Sequence, residues 1–365
     1  MRVSIFGSSL VSAYWNGAAT YYRGIVRALA ARGHHVTFYE PDAYDRQNHR
    51  DIEDPPWATV VVYDATEEAV RKTLDDACHD DLIVKASGVG VFDTLLEAAI
   101  ADLKRSSNLV AFWDVDAPAT LDRVRSNPAD PFAPLIPRYD VVFTYGGGNP
   151  VVSAYEKLGA RLCVPIYNGL DTRTHYPAPP DARFEAALGF LGNRLPDREA
   201  RVEEFFFRPA ASLGDRRFLL GGAGWADRVS DRPETANVTW LDHVYTRDHN
   251  AFNCTPLAVL NVSRESMARY GFSPATRVFE AAGAGACLIT DFWEGIDLFF
   301  EPGKEILVAE DGTAVAGHLL ELTPERARAI GEAAFRRAIA EHTYAHRAAK
   351  VEMVLEGRVA HGAAL

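Results

Sequence analysis

The residues with the clearest chemical promise lie between Leu260 and Gly285. An apolar run ends at Asn261 and is followed by Arg264, Gly271, Ser273, Pro274, Ala275, Thr276, Arg277 and Glu280. Ser273 suits a helix N-cap, and Pro274 suits a first turn, where its missing N–H costs nothing. A helix opening there presents free N–H groups and partial positive charge, which favour a phosphate. Glu280 stands seven residues beyond Ser273, about two turns into the helix. A carboxylate in that place can accept both hydroxyls of a ribose. The small residues Ala281, Ala282, Gly283 and Gly285 let such a helix approach a sheet closely. Anion site and diol site together spell a nucleotide.

A second set lies in the first half of the chain. Asn16-Gly17 opens a helical stretch, and glycine lets the backbone come close to a diphosphate. Lys85 ends an apolar strand before the small residues Ala86-Ser-Gly-Val-Gly90. It can pair with an anion or snorkel at the strand end. Asp114-x-Asp116 follows the apolar run Leu109–Trp113. Paired carboxylates at that spacing can hold a divalent cation. The nucleotide signals, however, lie in the other half, so a metal-free role is expected: a general base, or a grip on acceptor hydroxyls. A turn aspartate ahead of Pro118 is the structural alternative.

Two series of elements must position these groups. Strands are expected at Val3–Gly7, His35–Glu40, Thr59–Tyr63, Leu82–Ala86, Leu109–Trp113 and Val141–Tyr145. Helices are expected from Asn16 to about Arg32, ended by Gly33, and over Glu67–Ala77 and Val91–Ser106. The second half repeats the style, with strands at Ala187–Leu191, Arg217–Gly221, Val238–Trp240, Ala258–Val262, Ala286–Thr290 and Glu305–Val308. Its helices are expected at Arg198–Ala211, Pro274–Ala284 and Pro324–Glu341. Alternating strands and helices mean βαβ units in mostly parallel sheets, with ligands at the carboxyl ends of the strands. The fold class is α/β. The proline-rich run Pro177–Pro180 puts a boundary near Asp171–Pro180.

The bulk properties narrow the partners. The 365 residues carry a formal net charge of −12, which gives nucleic acid or an anionic membrane no long-range attraction. No apolar run is long enough for a membrane helix, and the N-terminus reads as a strand rather than a signal peptide, so a cytoplasmic location is expected. Cys78, Cys163, Cys254 and Cys287 have no metal-site or disulfide spacing and read as buried thiols. No metal is expected.

The stretch 260–312, through Cys287-Leu-Ile-Thr-Asp and Glu301-Pro-Gly-Lys-Glu, resembles the donor half of GT-B glycosyltransferases. It is most similar to the CgeB-like, spore-maturation branch of the group-1 superfamily. Gly17–Thr37 resembles that superfamily's first helix and second strand, and Tyr167–Pro177 its interdomain junction. The resemblance implies two Rossmann-like domains whose parallel sheets face a central cleft. They would be an acceptor domain over 1–172 and a donor domain over 173–345, with a helical tail over 346–365 packing back on the first. It implies that Glu280 contacts the nucleotide ribose. A second glutamate common in the superfamily falls where this chain has Phe272, eight residues earlier. It implies that Asn193, Arg194 and Arg198, just after the second domain's first strand, reach the donor diphosphate. The base would sit against the backbone near Val244. The implied function is metal-independent transfer of a sugar from a UDP-, GDP- or dTDP-sugar to a small-molecule, glycan or protein acceptor, with no tightly bound cofactor. A nucleotide-sugar epimerase or hydrolase of the same fold, or a non-catalytic nucleotide-sugar-binding protein, are the alternatives.

Overall fold

The apolar runs of the first half become seven strands: β1 (Arg2–Phe6), β2 (His35–Asp42), β3 (Thr59–Asp64), β4 (Leu82–Ala86), β5 (Leu109–Asp114), β6 (Val141–Thr144) and β7 (Cys163–Pro165). They form one parallel sheet in the order β3-β2-β1-β4-β5-β6-β7. The central strand β4 is buried along its whole length, as a strand covered on both faces must be. The connecting helices are α1 (Ala19–Ala31), α2 (Glu67–Ala77), α3 (Asp93–Asp102), α4 (Ala117–Ser126) and α5 (Gly148–Lys157). The chain is seen here as a computed structural model that describes residues 1–229 and 233–357.

The second half builds six more parallel strands: β8 (Leu188–Leu191), β9 (Phe218–Gly221), β10 (Val238–Leu241), β11 (Ala258–Asn261), β12 (Leu288–Asp291) and β13 (Leu307–Ala309). Their order is β10-β9-β8-β11-β12-β13. The helices are α6 (Pro196–Val202), α7 (Arg208–Ser212), α8 (Ala226–Val229), α9 (His249–Cys254), α10 (Glu265–Tyr270), α11 (Thr276–Gly283), α12 (Gly312–Glu321), α13 (Pro324–Glu341) and α14 (Tyr344–Leu355). The helix expected over Arg198–Ala211 is interrupted by a π-helical turn, Glu203–Phe207. That turn places Phe205, Phe206 and Phe207 all in the core. After Arg264, the six residues of α10 coil into a short helix.

Contacts divide the chain into two units. One is residues 1–168 with α14, and the other is residues 169–343. The Pro177–Pro180 run belongs to the second unit, where Ala178 N–H donates to Cys254 Sγ and Asp181 N–H to Thr255 Oγ1. Helix α14 joins the first because its Tyr344 ring lies over α1 at Gly24, where any Cβ would stand 2.3 Å from the ring. All four cysteines are unpaired thiols. Among the described residues no helix is long and apolar enough to cross a membrane.

In both sheets the strand order reverses direction beside the first strand, between β1 and β4 and between β8 and β11. Doubly wound sheets bind ligands in the crevice at that switch point, outside the carboxyl ends of the strands. The loops after β1, β4, β8 and β11 are therefore where chemistry is to be sought.

Candidate functional site

At the switch point of the second unit, Gly192–Arg194 leaves β8 and is clasped to the glycine loop after β9. Arg194 N–H donates to Ala223 O at 3.0 Å, and Ala223 N–H donates to Asn193 Oδ1 at 3.0 Å. Gly222 (φ +126°) is required here, since a Cβ would stand 2.5 Å from Gly192 O. The Arg194 guanidinium bridges Asp227 and Glu199. With both ends on carboxylates, Arg194 clasps the loop after β8 to its surroundings. Arg264 likewise pairs with Asp197 at 2.5 Å.

Arg198 and Arg277 are different. Arg198 Nη2 donates to Asn193 O at 2.7 Å and Arg277 Nη2 to Leu191 O at 3.3 Å. Arg198 Nε and Arg277 Nη1 are buried without a hydrogen-bond partner. Burial, and then the nearby cations Arg277 and Arg264, hold the Arg198 guanidinium below its ordinary value. An orphaned buried donor costs about 1–3 kcal/mol. Two such donors on neighbouring cations make a place suited to an anion.

Glu280 lies on α11 beside these cations, with Arg277 Nε and His175 Nε2 each 3.9 Å from its carboxylate. Burial pushes this carboxyl up, but Arg277, then His175 and His249, outweigh burial and hold it below the usual range. The carboxylate is thus ionised at neutral pH and acceptor-only, as a diol-binding group must be. Burial holds His175 and His249 below the ordinary histidine value, so both are neutral there. His249 Nε2 lies 3.2 Å from Val244 O. The Val244 carbonyl, expected near the base, is therefore engaged by a histidine.

The helix expected from Pro274 begins two residues later, with Ala275 in the N-cap position and no side-chain cap. Ser273 Oγ donates to Gly271 O at 2.9 Å instead. It fixes the turn in which Phe272 is held at φ +47°. The Phe272 ring fills the space over Gly295, where a Cβ would come within 2.2 Å of it. Pro274 and Ala275 thus lead into α11, and Thr276 is in its first turn.

In the first unit the candidate residues lie as follows. Asn16 is buried, donates to Ser9 O and Ser12 O, and accepts from Ser8 Oγ. Its amide staples the loop after β1 rather than facing a ligand, and α1 starts at Ala19. Gly17 beside it is exposed, with open space where a Cβ would stand. Lys85 is fully buried and pairs with Asp93 Oδ1 at 2.6 Å, so its charge serves the fold. Asp114 is fully buried and accepts from Ser87 Oγ, Thr120 Oγ1, Asp116 N–H and Tyr155 OH. Three of these donors are on Oδ1 and one, Tyr155, is on Oδ2, so the carboxylate is engaged within the fold. Burial pushes its carboxyl above the usual range. Asp116 is the open one of the pair. It is half-buried at the N-terminus of α4, and its side chain makes no cap.

Sequence reasoning missed the company of His175 and His249 around Glu280. The three sit on separate segments, and no spacing rule links a loop, a short helix and α11.

Residues 198–353 match a family model described as Glycosyl transferase-like. No curated protein matches the chain. Among solved structures, the sucrose-phosphate synthase of Thermosynechococcus elongatus superposes with a TM-score of 0.70 at 15% identity, covering 98% of this chain and 99% of that one. Anabaena HepE in complex with UDP and glucose gives 0.67 at 14% identity, covering 98% and 100%. Trehalose-6-phosphate synthase OtsA gives 0.68 at 10% identity, also covering 98% and 100%. The fold is GT-B. In this GT-B chain, Arg198, Arg277 and Glu280 share the switch point of the second sheet, and Asp116 stands at the carboxyl end of β5 in the first.

Proposed function

We propose that this protein is a glycosyltransferase that takes its sugar from a nucleoside-diphosphate sugar held by the second unit, with the first unit receiving the acceptor. The observation that carries the reading is the pair of orphaned guanidinium nitrogens on Arg198 and Arg277 beside an ionised, mostly buried Glu280. Guanidinium forks suit a diphosphate, and Glu280 suits the ribose diol. Fixed positive charge aimed at the leaving diphosphate stabilises it as the glycosidic bond breaks, the task a divalent cation performs elsewhere. The transfer as read needs no metal. If the configuration inverts, Asp116 is the carboxylate available to take the acceptor proton. If it is retained, the usual GT-B picture requires no dedicated base.

The Anabaena HepE complex with UDP and glucose favours a uridine donor. The stretch 260–312 favours the CgeB-like branch. A cytoplasmic location fits a soluble donor of this kind. Thermal shift with UDP, GDP and dTDP tests the reading. One of them should raise the midpoint at saturating concentration, and Arg198→Ala/Arg277→Ala should abolish the shift. No shift with any of the three overturns it. Nucleotide release without any acceptor would indicate a hydrolase, and isomerised donor an epimerase.

A further inference from the structure

The first unit exposes aromatic rings that its own packing does not use. Trp15 is 80% exposed and Tyr14 39%. Tyr14 stacks on His49 with ring centroids 3.9 Å apart and planes 9° from parallel, and Trp15 stands edge-on to Tyr14 at 6.2 Å. The rings come from two loops, one after β1 and one after β2, both at the carboxyl edge of the sheet.

The backbone is strained to present them. Asn16 N–H closes a turn onto Ala13 O, and Trp15 occupies its third position at φ +47°. Glycine serves that position without cost, whereas a bulky residue there is an outlier. Tyr44 and Asp45, in the loop that carries His49, also have positive φ. Strain of this kind persists at sites of function. A tryptophan that is both strained and unburied gains nothing from folding.

Polar groups rim the rings. His49 Nδ1 is held by Asp45 O at 2.9 Å and Asp45 Oδ2 at 3.1 Å, and its side chain is exposed. Segment 42–54 carries Asp42, Asp45, Asp51, Glu53 and Asp54 against Arg46 and Arg50, with Asp51 paired to Arg23 and Asp54 to Arg50, which leaves the acids in excess. This acidic rim repels phosphate and anionic headgroups. It suits neutral hydroxyls.

We propose that Tyr14, Trp15 and His49 form a stacking platform for an uncharged sugar ring of the acceptor, which makes the acceptor a glycan or glycoside. The proposal rests on the glycosyltransfer reading. Asp116 follows β5, a strand that lies two places from β1, or about 10 Å along the same edge. With one ring stacked on the platform and another presented to the donor, an acceptor of two or more rings is preferred over a single sugar.

The test uses the full chain on an immobilised panel of mono- and oligosaccharides of glucose, galactose, mannose, N-acetylglucosamine and rhamnose. Wild type should bind at least one oligosaccharide more tightly than its monosaccharide. Trp15→Gly should weaken that binding about tenfold or more while raising the thermal midpoint, because glycine relaxes the turn. Trp15→Phe should retain most of it. The shift with UDP should be equal in all three proteins. No binding to any sugar, or binding indifferent to Trp15→Gly, overturns the platform even with the UDP shift intact. Loss of the UDP shift in wild type overturns the donor reading instead. Sedimentation with phosphatidylcholine/phosphatidylglycerol vesicles that depends on Trp15 would mean a membrane contact and also overturn the platform.

Discussion

Asp114 and Asp116 are two residues apart and chemically identical, yet the structure gives them opposite fates on substitution. Asp114→Ala removes the acceptor of four hydrogen bonds in a fully buried place. Each donor left unsatisfied costs about 1–3 kcal/mol, with some relief from repacking, so a total of about 3–5 kcal/mol is expected. For a protein of this size each kcal/mol moves the midpoint about 2–4 °C. The expected fall is about 6–20 °C by near-UV circular dichroism or scanning fluorimetry. Asp114→Asn should recover only part of it, because the amide points two donors at a cluster of donors. Asp116→Ala removes a half-buried carboxylate that caps nothing, and its stability should stay within about 0.5 kcal/mol of wild type. If Asp114→Ala leaves the midpoint unchanged, or Asp116→Ala matches its loss, the assignment of one as structural and the other as available is wrong.

Arg198→Ala and Arg277→Ala should each weaken UDP binding by about 1.5–3 kcal/mol, or roughly 10- to 150-fold, in calorimetric titration. Arg198→Ala should not lower the unliganded midpoint, since it relieves repulsion with Arg277, whereas Arg277→Ala should lower it by removing the main counter-charge of Glu280. Acid should destabilise the second unit. His175 and His249 are depressed by burial, so the unfolded chain binds protons first, and their contribution is present above about pH 6.5 and lost below it. The depressed Glu280 adds to the loss at lower pH. Stability followed from pH 7 to pH 5 should fall, and His175→Gln/His249→Gln should flatten that slope. Gly295→Ala forces a Cβ onto the Phe272 ring at φ +87° and should cost about 1–3 kcal/mol, read as a lowered midpoint.

Most strands were legible because buried parallel strands are short apolar runs bounded by turns. β4 and α2 have the bounds the sequence predicts. β7 was missed, being a three-residue strand that ends on a proline. The site was legible where one segment carries it, as in Arg264–Glu280. It was illegible where partners arrive from elsewhere. Nothing in the local sequence says that Arg194 is neutralised by Asp227 or Lys85 by Asp93. Both read as free cations until tertiary contacts supply their carboxylates. Asp114 and Asp116 were indistinguishable in sequence, because saturation by Ser87, Thr120 and Tyr155 is a property of packing alone.

The second unit starts and finishes at one spot. Leu170 N–H donates to His342 O at 2.7 Å, and Leu170 bridges Thr343. Its chain ends are therefore stitched together, as in an inserted domain. Residues 169–343 should behave as a cassette: excisable as a gene fragment that folds unaided, and exchangeable for the corresponding piece of another GT-B chain. The first unit has no such independence. A fragment stopped at residue 168 would lack α14 and leave the α1 surface around Gly24 bare, so its expression requires the last helix to be spliced back on.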